Sequence, residues 1–318
     1  MSIHVVVNPA GASGRAWDLW QKASLVFQEK QMEYTLHQST LEHGVEEICR
    51  ELTGTGEEVD LIIVGGDGTI NQAVNGIEDF EHTRLGFLPC GSGNDLARDI
   101  ELPKDLREII SILEKGETRR VCDLAEVRME GTCKWFDHED LGEGPYIRRF
   151  HMSCGIGFDA KICAGVQRSR WKGFLNRMGL GMLSYGIVSM GAIFTTKPIP
   201  MKLTVDGREI PTKRGMLLAV MNHRYQGGGV LFAPDAKADD GLLDCSYVRN
   251  VNRLKFFGVL PMAYSGKHLL FKGITIERGK EIDLETAIPL WAHTDGEVVC
   301  KASKFHIRVL PERLKMLV

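Results

Sequence analysis

The chain has 318 residues, of which 43% are hydrophobic and 25% charged, and its formal net charge is −3. That length fits one large domain or two ordinary ones, and the composition is that of a soluble globular protein, not a disordered or fibrous one. Eight cysteines form no CxxC pair and no Cys/His cluster with zinc spacing, which leaves free thiols in a reducing, cytoplasmic setting as the expectation. The start, MSIHVVVNPAG, has no basic segment followed by a long apolar one, so no signal peptide is expected.

In chain order the first part alternates. Ile3–Val7 reads as a strand, Asn8–Arg15 as a glycine-containing loop and Ala16–Lys30 as an amphipathic helix. Glu33–His37 is a strand and Gly44–Leu52 a helix. The strand Val59–Val64 then runs into Gly65-Gly66-Asp67-Gly68-Thr69 and a helix ending near Gly76. Arg84–Leu88 is another strand, Pro89-Cys90-Gly91-Ser92-Gly93 a second small-residue loop, and Asn94–Ile100 and Leu106–Lys115 are helices. Such alternation means βαβ units and a parallel sheet, whose ligands bind at the carboxyl ends of the strands.

The stretch Val59–Gly76 is the most telling. Three glycines in the four positions 65–68 are costly in regular structure, so the backbone there must need freedom from Cβ atoms. Between a buried strand and a helix N-terminus, such a loop suits phosphate, because free N–H groups and the helix dipole both face outward. Asp67 is the odd member beside phosphate. It makes sense if it holds Mg²⁺, directly or through water, or if it fixes the loop by accepting N–H bonds. Thr69 is placed to cap the following helix or to donate to a phosphate, Ser13 to cap the helix after the first loop, and Arg15 to reach a phosphate.

After about Cys122 the pattern changes. Asp123–Met129, Tyr146–Ser153, Met201–Val205, Arg214–Met221, Leu243–Val248, Gly273–Glu277, Ile282–Leu284, Leu290–His293 and Lys304–Val309 read as strands. Helical patterns are confined to Asp159–Gln167, Met178–Phe194 and Arg253–Tyr264. Trp135–Gly144 is acidic and reads as a hairpin loop, with His138, Glu139 and Asp140 in a solvated turn in preference to a metal site. Between Lys161 and Arg214 the balance is +8, which points to an anionic partner such as a membrane surface or else to a solvated basic face. Met178–Thr196 holds nineteen residues without a charge, near the length of a membrane span. Its glycines and hydroxyls, and apolar residues at 180, 183, 187, 190 and 194, favour a packed amphipathic helix.

The common phosphate signatures GxxxxGK[ST] and GxGxxG are absent. Instead NPAGASGRA, VGGDGTINQAVNG and LGFLPCGSGNDLAR occur in that order, followed by SCGIGFDA, Gly227-Gly228-Gly229, Ala233–Ala236, Asp239–Asp244 and His293-Thr294-Asp295-Gly296-Glu297. Together these resemble the diacylglycerol kinase catalytic family of lipid kinases, most closely its bacterial soluble members, over nearly the whole chain.

The resemblance implies an α/β plus β fold: an NAD-kinase-like α/β domain with a parallel sheet at 1–122, which the tail 305–318 would complete, and a β-sandwich lipid-substrate domain at 123–304. It implies ATP in the cleft between them as phosphate donor, contacted by Asn8, Pro9, Ala10, Gly11, Ala12, Thr40 (or its neighbour Ser39), Gly65, Gly66, Asp67, Gly68, Thr69, Ile70, Asn71, Gln72 and Ser92. The family usually has Ser-Gly after Asn-Pro-x, where this chain has Gly11-Ala12, so a hydroxyl contact there must come from Ser13 or be lost. Asn94 and Asp95 would support the loops. Glu297 is the implied proton acceptor, with Asp295 beside it in a supporting or metal-binding role, the choice between the two staying open. A structural Mg²⁺ loop would use the Asp240 side chain and the carbonyls of Lys237 and Leu242.

The implied activity is transfer of the ATP γ-phosphate, with Mg²⁺, to a membrane lipid alcohol such as diacylglycerol. Related lipid alcohols (sphingoid bases, acylglycerols, polyprenols), an NAD-kinase-like soluble acceptor and a non-enzymatic lipid- or nucleotide-binding regulator are the alternatives. The expected partners are the lipid substrate and an anionic membrane surface met peripherally through Arg168, Arg170, Lys172 and Arg177, with Trp171 and Phe174 beside them. No nucleic acid is expected, and a homodimer is an open alternative.

Overall fold

The computed structural model describes residues 2–132, 134–135, 143–168, 195–212, 214–249, 258–259 and 261–318. The helix expected at Met178–Phe194, the membrane-facing residues from Arg170 to Arg177, the acidic turn at 138–140 and half of the helix expected at Arg253–Tyr264 lie outside these. Among the described residues no helix is long and apolar enough to cross a membrane. The chain divides into two compact units, Met1–Leu124 with Pro311–Val318, and Ala125–Leu310.

In the first unit, β1 (Ser2–Val7), β2 (Thr35–Gln38), β3 (Val59–Gly65) and β4 (Thr83–Pro89) are parallel and lie in the order β2-β1-β3-β4. Beyond β4, Lys315 and Met316 near the end of the chain pair in parallel with Arg84 and Leu85. Every residue of β3 is buried, the mark of a strand covered on both faces. The covering helices are α1 (Arg15–Glu29), α2 (Val45–Thr53), α3 (Asp67–Gly76), α4 (Asp95–Asp99) and α5 (Leu106–Lys115). Helix α1 turns Ala16, Trp20, Ala23, Val26 and Phe27 inward at three- and four-residue spacing. Helix α5 starts where Asp105 accepts the Glu108 N–H and stops at Gly116, whose φ of 57° no side chain opposes. Arg84 grips Asp60, its partner on β3, through two bonds of 2.7 Å.

The second unit is built from β5 (Arg120–Thr132), β6 (Lys134–Trp135), β7 (Glu143–Phe150), β8 (Ser153–Gly157), β9 (Met201–Val205), β10 (Arg208–Ile210), β11 (Gly215–Met221), β12 (Tyr225–Gln226), β13 (Val230–Leu231), β14 (Leu243–Arg249), β15 (Ile274–Gly279), β16 (Glu281–Thr294) and β17 (Glu297–Met316), with helix α6 (Phe158–Arg168). The order β15-β14-β11-β8-β16-β17 is antiparallel throughout. Along β16, buried Ile282 and Leu284 alternate with exposed Glu281, Asp283 and Glu285, the two-residue period of a strand with one wet face. The two strands read at 282–284 and 290–293 are one strand with register shifts between Glu285 and Leu290 and between Trp291 and His293. Conversely, the strand read at Tyr146–Ser153 is interrupted at His151 and Met152 and resumes as β8.

On β1 and β2, His4 Nδ1 and His37 Nε2 lie 3.0 Å apart with ring centroids at 5.2 Å. Burial holds both below the ordinary histidine value of 6.5, and each cation would repel the other at His37. A depressed folded-state value means that stability present above pH 6.5 is lost as pH falls through the folded values. Urea midpoints should therefore drop on acidification from pH 7 to about 5, and His37→Gln should flatten that drop; an unchanged acid slope in the variant would contradict this account.

Candidate active site

The parallel strands deliver their loops side by side. Val7 is level with Gln38 on one side and Val64 on the other, and Gly65 with Pro89. The chain leaves β1 toward β2 and returns on the opposite side at β3. The β1/β3 boundary is thus the switch point at which open parallel sheets leave a crevice beyond their carboxyl ends. Asn8–Gly14, Ser39–Gly44, the Gly65-Gly66 corner and Cys90–Asn94 all emerge at that edge.

Two of these loops touch. The Cys90 N–H donates to the Gly65 carbonyl at 2.9 Å. A Cβ on Gly91 would stand 2.9 Å from the Gly66 Cα, closer than real Cβ contacts allow, so the approach requires glycine. Burial pushes the Cys90 thiol up to about 11, and Arg15 from the first loop opposes that rise.

Of the two uses open to Asp67, the structure realises the loop-fixing one. Its carboxylate accepts the Asp95 N–H at 3.2 Å and, weakly, the Leu96 N–H at 3.5 Å, tying the start of α4 to the start of α3. A carboxylate oxygen is also the donor type that a hard cation takes. Helix α3 begins at Asp67 behind an extended Gly66 with no side-chain cap. Its first N–H groups are therefore placed to meet an anion.

Thr69 does not cap the helix. It lies inside the first turn, buried against Gly65, where a Cβ would come within 2.4 Å of its side chain. Ile70 and Asn71 are buried as well and offer a ligand only backbone, whereas Gly66, Asp67, Gly68 and Gln72 are partly exposed. Thr40 is exposed, and its Oγ1 accepts the His43 N–H at 3.0 Å; Ser92 is exposed too.

In the first loop Asn8 and Pro9 are half-buried and Ala10 exposed, and the Gly11 N–H donates to the Asn8 carbonyl at 2.8 Å. Ala12 and Ser13 follow at φ 51° and 62°, a left-handed pair that costs on the order of 1–3 kcal/mol per residue. Ser13 is not the cap of α1: the N-cap is Gly14, and no side chain serves it. Arg15 Nε turns back to the Ala12 carbonyl at 3.0 Å, bracing that turn.

In the second unit Asp295 and Gly296, at φ 51° and 85°, form the two-residue turn between β16 and β17, with Thr294 facing Glu297. The Asp295 carboxylate is wholly committed. Oδ1 accepts the N–H groups of Met152 and Ser153, both at 2.9 Å; Oδ2 accepts the His151 N–H at 3.2 Å and lies 2.8 Å from His151 Nδ1. Both side chains have 0% exposure. Glu297, two residues on, is exposed. Beneath the turn lies a polar cluster absent from the sequence reading: Asp159, Gln226 and His293, all buried. The signal for two members was in view, since His293 opens His-Thr-Asp-Gly-Glu and Asp159 closes Gly-Phe-Asp, but 134 positions separate them.

The loop read as a structural Mg²⁺ site lies at the same end of the sheet. Asp244, Met221, Ser153 and the turn are level across β14, β11, β8 and β16, about 14 Å from end to end. The donor set there does not fit a metal as it stands. Asp240 Oδ1 accepts the Leu242 N–H at 3.1 Å, and Oδ2 takes the Arg278 guanidinium, whose Nε is also 3.2 Å from Asp244. A cation at Asp240 would face that guanidinium. Lys237 is exposed and Leu242 half-exposed beside it.

Residues 2–127 match the diacylglycerol kinase catalytic domain, and residues 152–318 the YegS C-terminal NAD kinase beta sandwich-like domain. The chain belongs to this diacylglycerol kinase family and is a lipid kinase. YtlR of Bacillus subtilis, named as a candidate lipid kinase, is 27% identical over 98% of this chain and 97% of its own. A diacylglycerol kinase of Mycobacterium tuberculosis is 27% identical over 81% of this chain and 76% of its own. A diacylglycerol kinase crystal structure from Bacillus anthracis matches with TM-score 0.65 at 21% identity, covering 99% of this chain and 96% of that one. An NAD kinase from Archaeoglobus fulgidus, solved with ATP, matches with TM-score 0.51 at 12% identity, covering 100% and 94%. The α/β plus β fold read from the sequence is the fold observed.

Asp295→Ala should cost about 3–5 kcal/mol of stability, because it leaves three buried N–H groups without their acceptor. Glu297→Gln, on the surface, should stay within about 0.5 kcal/mol in the same urea titration. Comparable losses from the two would refute the division between them. Chelator should leave the unfolding midpoint of the chain unmoved, while Arg278→Gln should lower it and make it respond to Mg²⁺. A chelator-sensitive midpoint in the unsubstituted protein that Asp240→Asn abolishes would show that a metal pins Asp240 after all.

Proposed function

We propose that this lipid kinase transfers the γ-phosphate of ATP to the hydroxyl of diacylglycerol, giving phosphatidic acid. The observation that carries the nucleotide half is the α3 N-terminus, which has no side-chain cap and stands among touching glycine loops at the switch point. Gly66, Asp67 and Gly68, with the Asn8–Ala12 loop, Thr40 and Ser92, would receive the phosphates and sugar. Diacylglycerol as acceptor is supported by the naming of the M. tuberculosis relative.

Glu297 takes the proton from the lipid hydroxyl, and Asp295 holds the turn. Two observations support this reading: both oxygens of Asp295 accept bonds in the interior, while Glu297 is exposed just beyond the turn. Phosphoryl transfer otherwise demands alignment and charge neutralisation, supplied by loop N–H groups and the helix dipole. Mg²⁺, with Asp67 as its holder, would supply further neutralisation when bound. The reaction would take place at an anionic membrane surface facing the cytoplasm, met peripherally by the basic Lys161–Arg214 segment.

The test is label transfer from γ-labelled ATP with Mg²⁺, offered in parallel to diacylglycerol, a sphingoid base, a monoacylglycerol, a polyprenol, NAD and no acceptor. Labelled phosphatidic acid is the expected product. Label on another lipid alcohol would replace the acceptor, and label on no lipid would overturn the reading. Glu297→Gln should lower kcat by about 10²- to 10⁴-fold with ATP affinity retained; near-normal turnover would remove Glu297 from the mechanism.

A further inference from the structure

We propose that Asp159 is a positioning residue for the Asp295-Gly296-Glu297 turn and acts by fixing the tautomer of His293. The inference rests on the reading of Glu297 as proton acceptor.

His293 lies on β16 with none of its side chain exposed. Its Nδ1 is 3.2 Å from the Gly296 backbone nitrogen. A backbone N–H can only donate, so Nδ1 must be the bare, accepting nitrogen, and the proton of the neutral ring sits on Nε2. There Asp159 Oδ2 stands 3.2 Å away as acceptor. Gln226 Nε2 donates to the same oxygen at 3.1 Å, and the Ala160 N–H donates to Oδ1 at 2.8 Å. Gln226 Nε2 also lies 3.2 Å from His293 Nε2, so in the Nε2–H form its amide donates to Asp159 alone. Of the two neutral tautomers, only Nε2–H satisfies both Asp159 and Gly296. The opposite one sets N–H against N–H at the turn and leaves Nε2 facing a carboxylate.

The backbone is shaped for this contact. Gly155 on β8 is the cross-strand partner of His293. A Cβ on Gly155 would fall 1.9 Å from Asp159 Oδ2 and 2.2 Å from His293 Nε2, so only glycine admits the pair. The turn is therefore held at two successive residues, Asp295 by the N–H groups of 151–153 and Gly296 by His293. Glu297 is the next residue. Asp159 touches neither substrate nor Glu297, yet it selects the ring form that holds the turn.

Asparagine at 159 inverts the selection. The Ala160 N–H claims the amide oxygen, which turns the NH₂ toward His293 Nε2 and favours the Nδ1–H tautomer. Asparagine at 293 can present its oxygen to Gly296 and has no tautomer to choose, whereas glutamine reaches toward Asp159 and loses the acceptor for Gly296.

The experiment combines kinetics of Asp159→Asn, His293→Gln, His293→Asn and the double variant Asp159→Asn/His293→Asn with ¹⁵N NMR of histidine-labelled protein. Asp159→Asn and His293→Gln should each lower kcat on the order of 10- to 100-fold at little change in KM. His293→Asn should recover most of that kcat, and adding Asp159→Asn to it should cost nothing more. The ¹⁵N spectrum should show a bare Nδ1 in the unsubstituted protein and a protonated Nδ1 in Asp159→Asn. A protonated Nδ1 in the unsubstituted protein, or losses that multiply in the double variant, would overturn the proposal. Glu297→Gln is assayed alongside: if it turns over normally while the tautomer responds to Asp159 as described, the reading of Glu297 has failed and the positioning of the turn has not.

Discussion

A single buried carboxylate organises the second unit. Asp295 gathers the N–H groups of three consecutive residues, 151 to 153, at one point. A continuous strand cannot present three successive N–H groups to one side, because they alternate. The chain must therefore break after Phe150, and β8 begins afresh at Ser153 in register with both β11 and β16. A buried anion costs several kcal/mol unless its lone pairs are filled, and here the donors that fill them also set the sheet order and the hairpin geometry. The left-handed φ of Asp295 is part of the same arrangement, since the turn that aims its carboxylate inward requires it.

The first unit uses the same device on a smaller scale. Asp67 reaches from the start of α3 to the start of α4 and joins two glycine loops that already touch through Gly66 and Gly91. Asp95 is occupied by Arg98, Asp240 by Arg278 and Asp159 by Gln226 and His293. In the sequence Asp67, Asp240 and Asp295 look alike, as carboxylates before glycine that suggest metal or acid–base chemistry. In the structure most are fasteners. Burial separates Asp95, Asp159 and Asp295 from Glu297, which stands exposed on a turn that others hold.

What the sequence made legible was whatever depends on neighbours in the chain. The βα alternation followed from buried apolar runs such as Leu61–Val64 and from helix faces at three- and four-residue spacing. The phosphate loops followed from glycine between strand and helix. Thr69 reads equally as a cap or a phosphate donor, because its burial against Gly65 is not visible in the chain. Strand β8 is hidden because Gly155 answers to Asp159 and His293, not to a turn. Strand β16 read as two because the register shift after Glu285 falls on a segment that holds Pro289. The fastening pairs lay deepest: His151 and Asp295 are 144 positions apart, and no local pattern joins them.

The site's chemistry also explains why its supports are buried and its reactive group is not. On the proposed reading Glu297 must meet its substrate, so it cannot be fixed by enclosing it; only the backbone beneath can be made rigid. With Asp295 and Gly296 each tied to the interior, the backbone that carries Glu297 is fixed on its N-terminal side. That is the economical way to place a carboxylate against a hydroxyl, because reactivity depends on alignment more steeply than on the strength of any one contact. It also makes the turn sensitive from below. A change at Asp159, in a helix that meets no phosphate loop in its own unit, alters one proton on one ring and through it the residue that precedes Glu297.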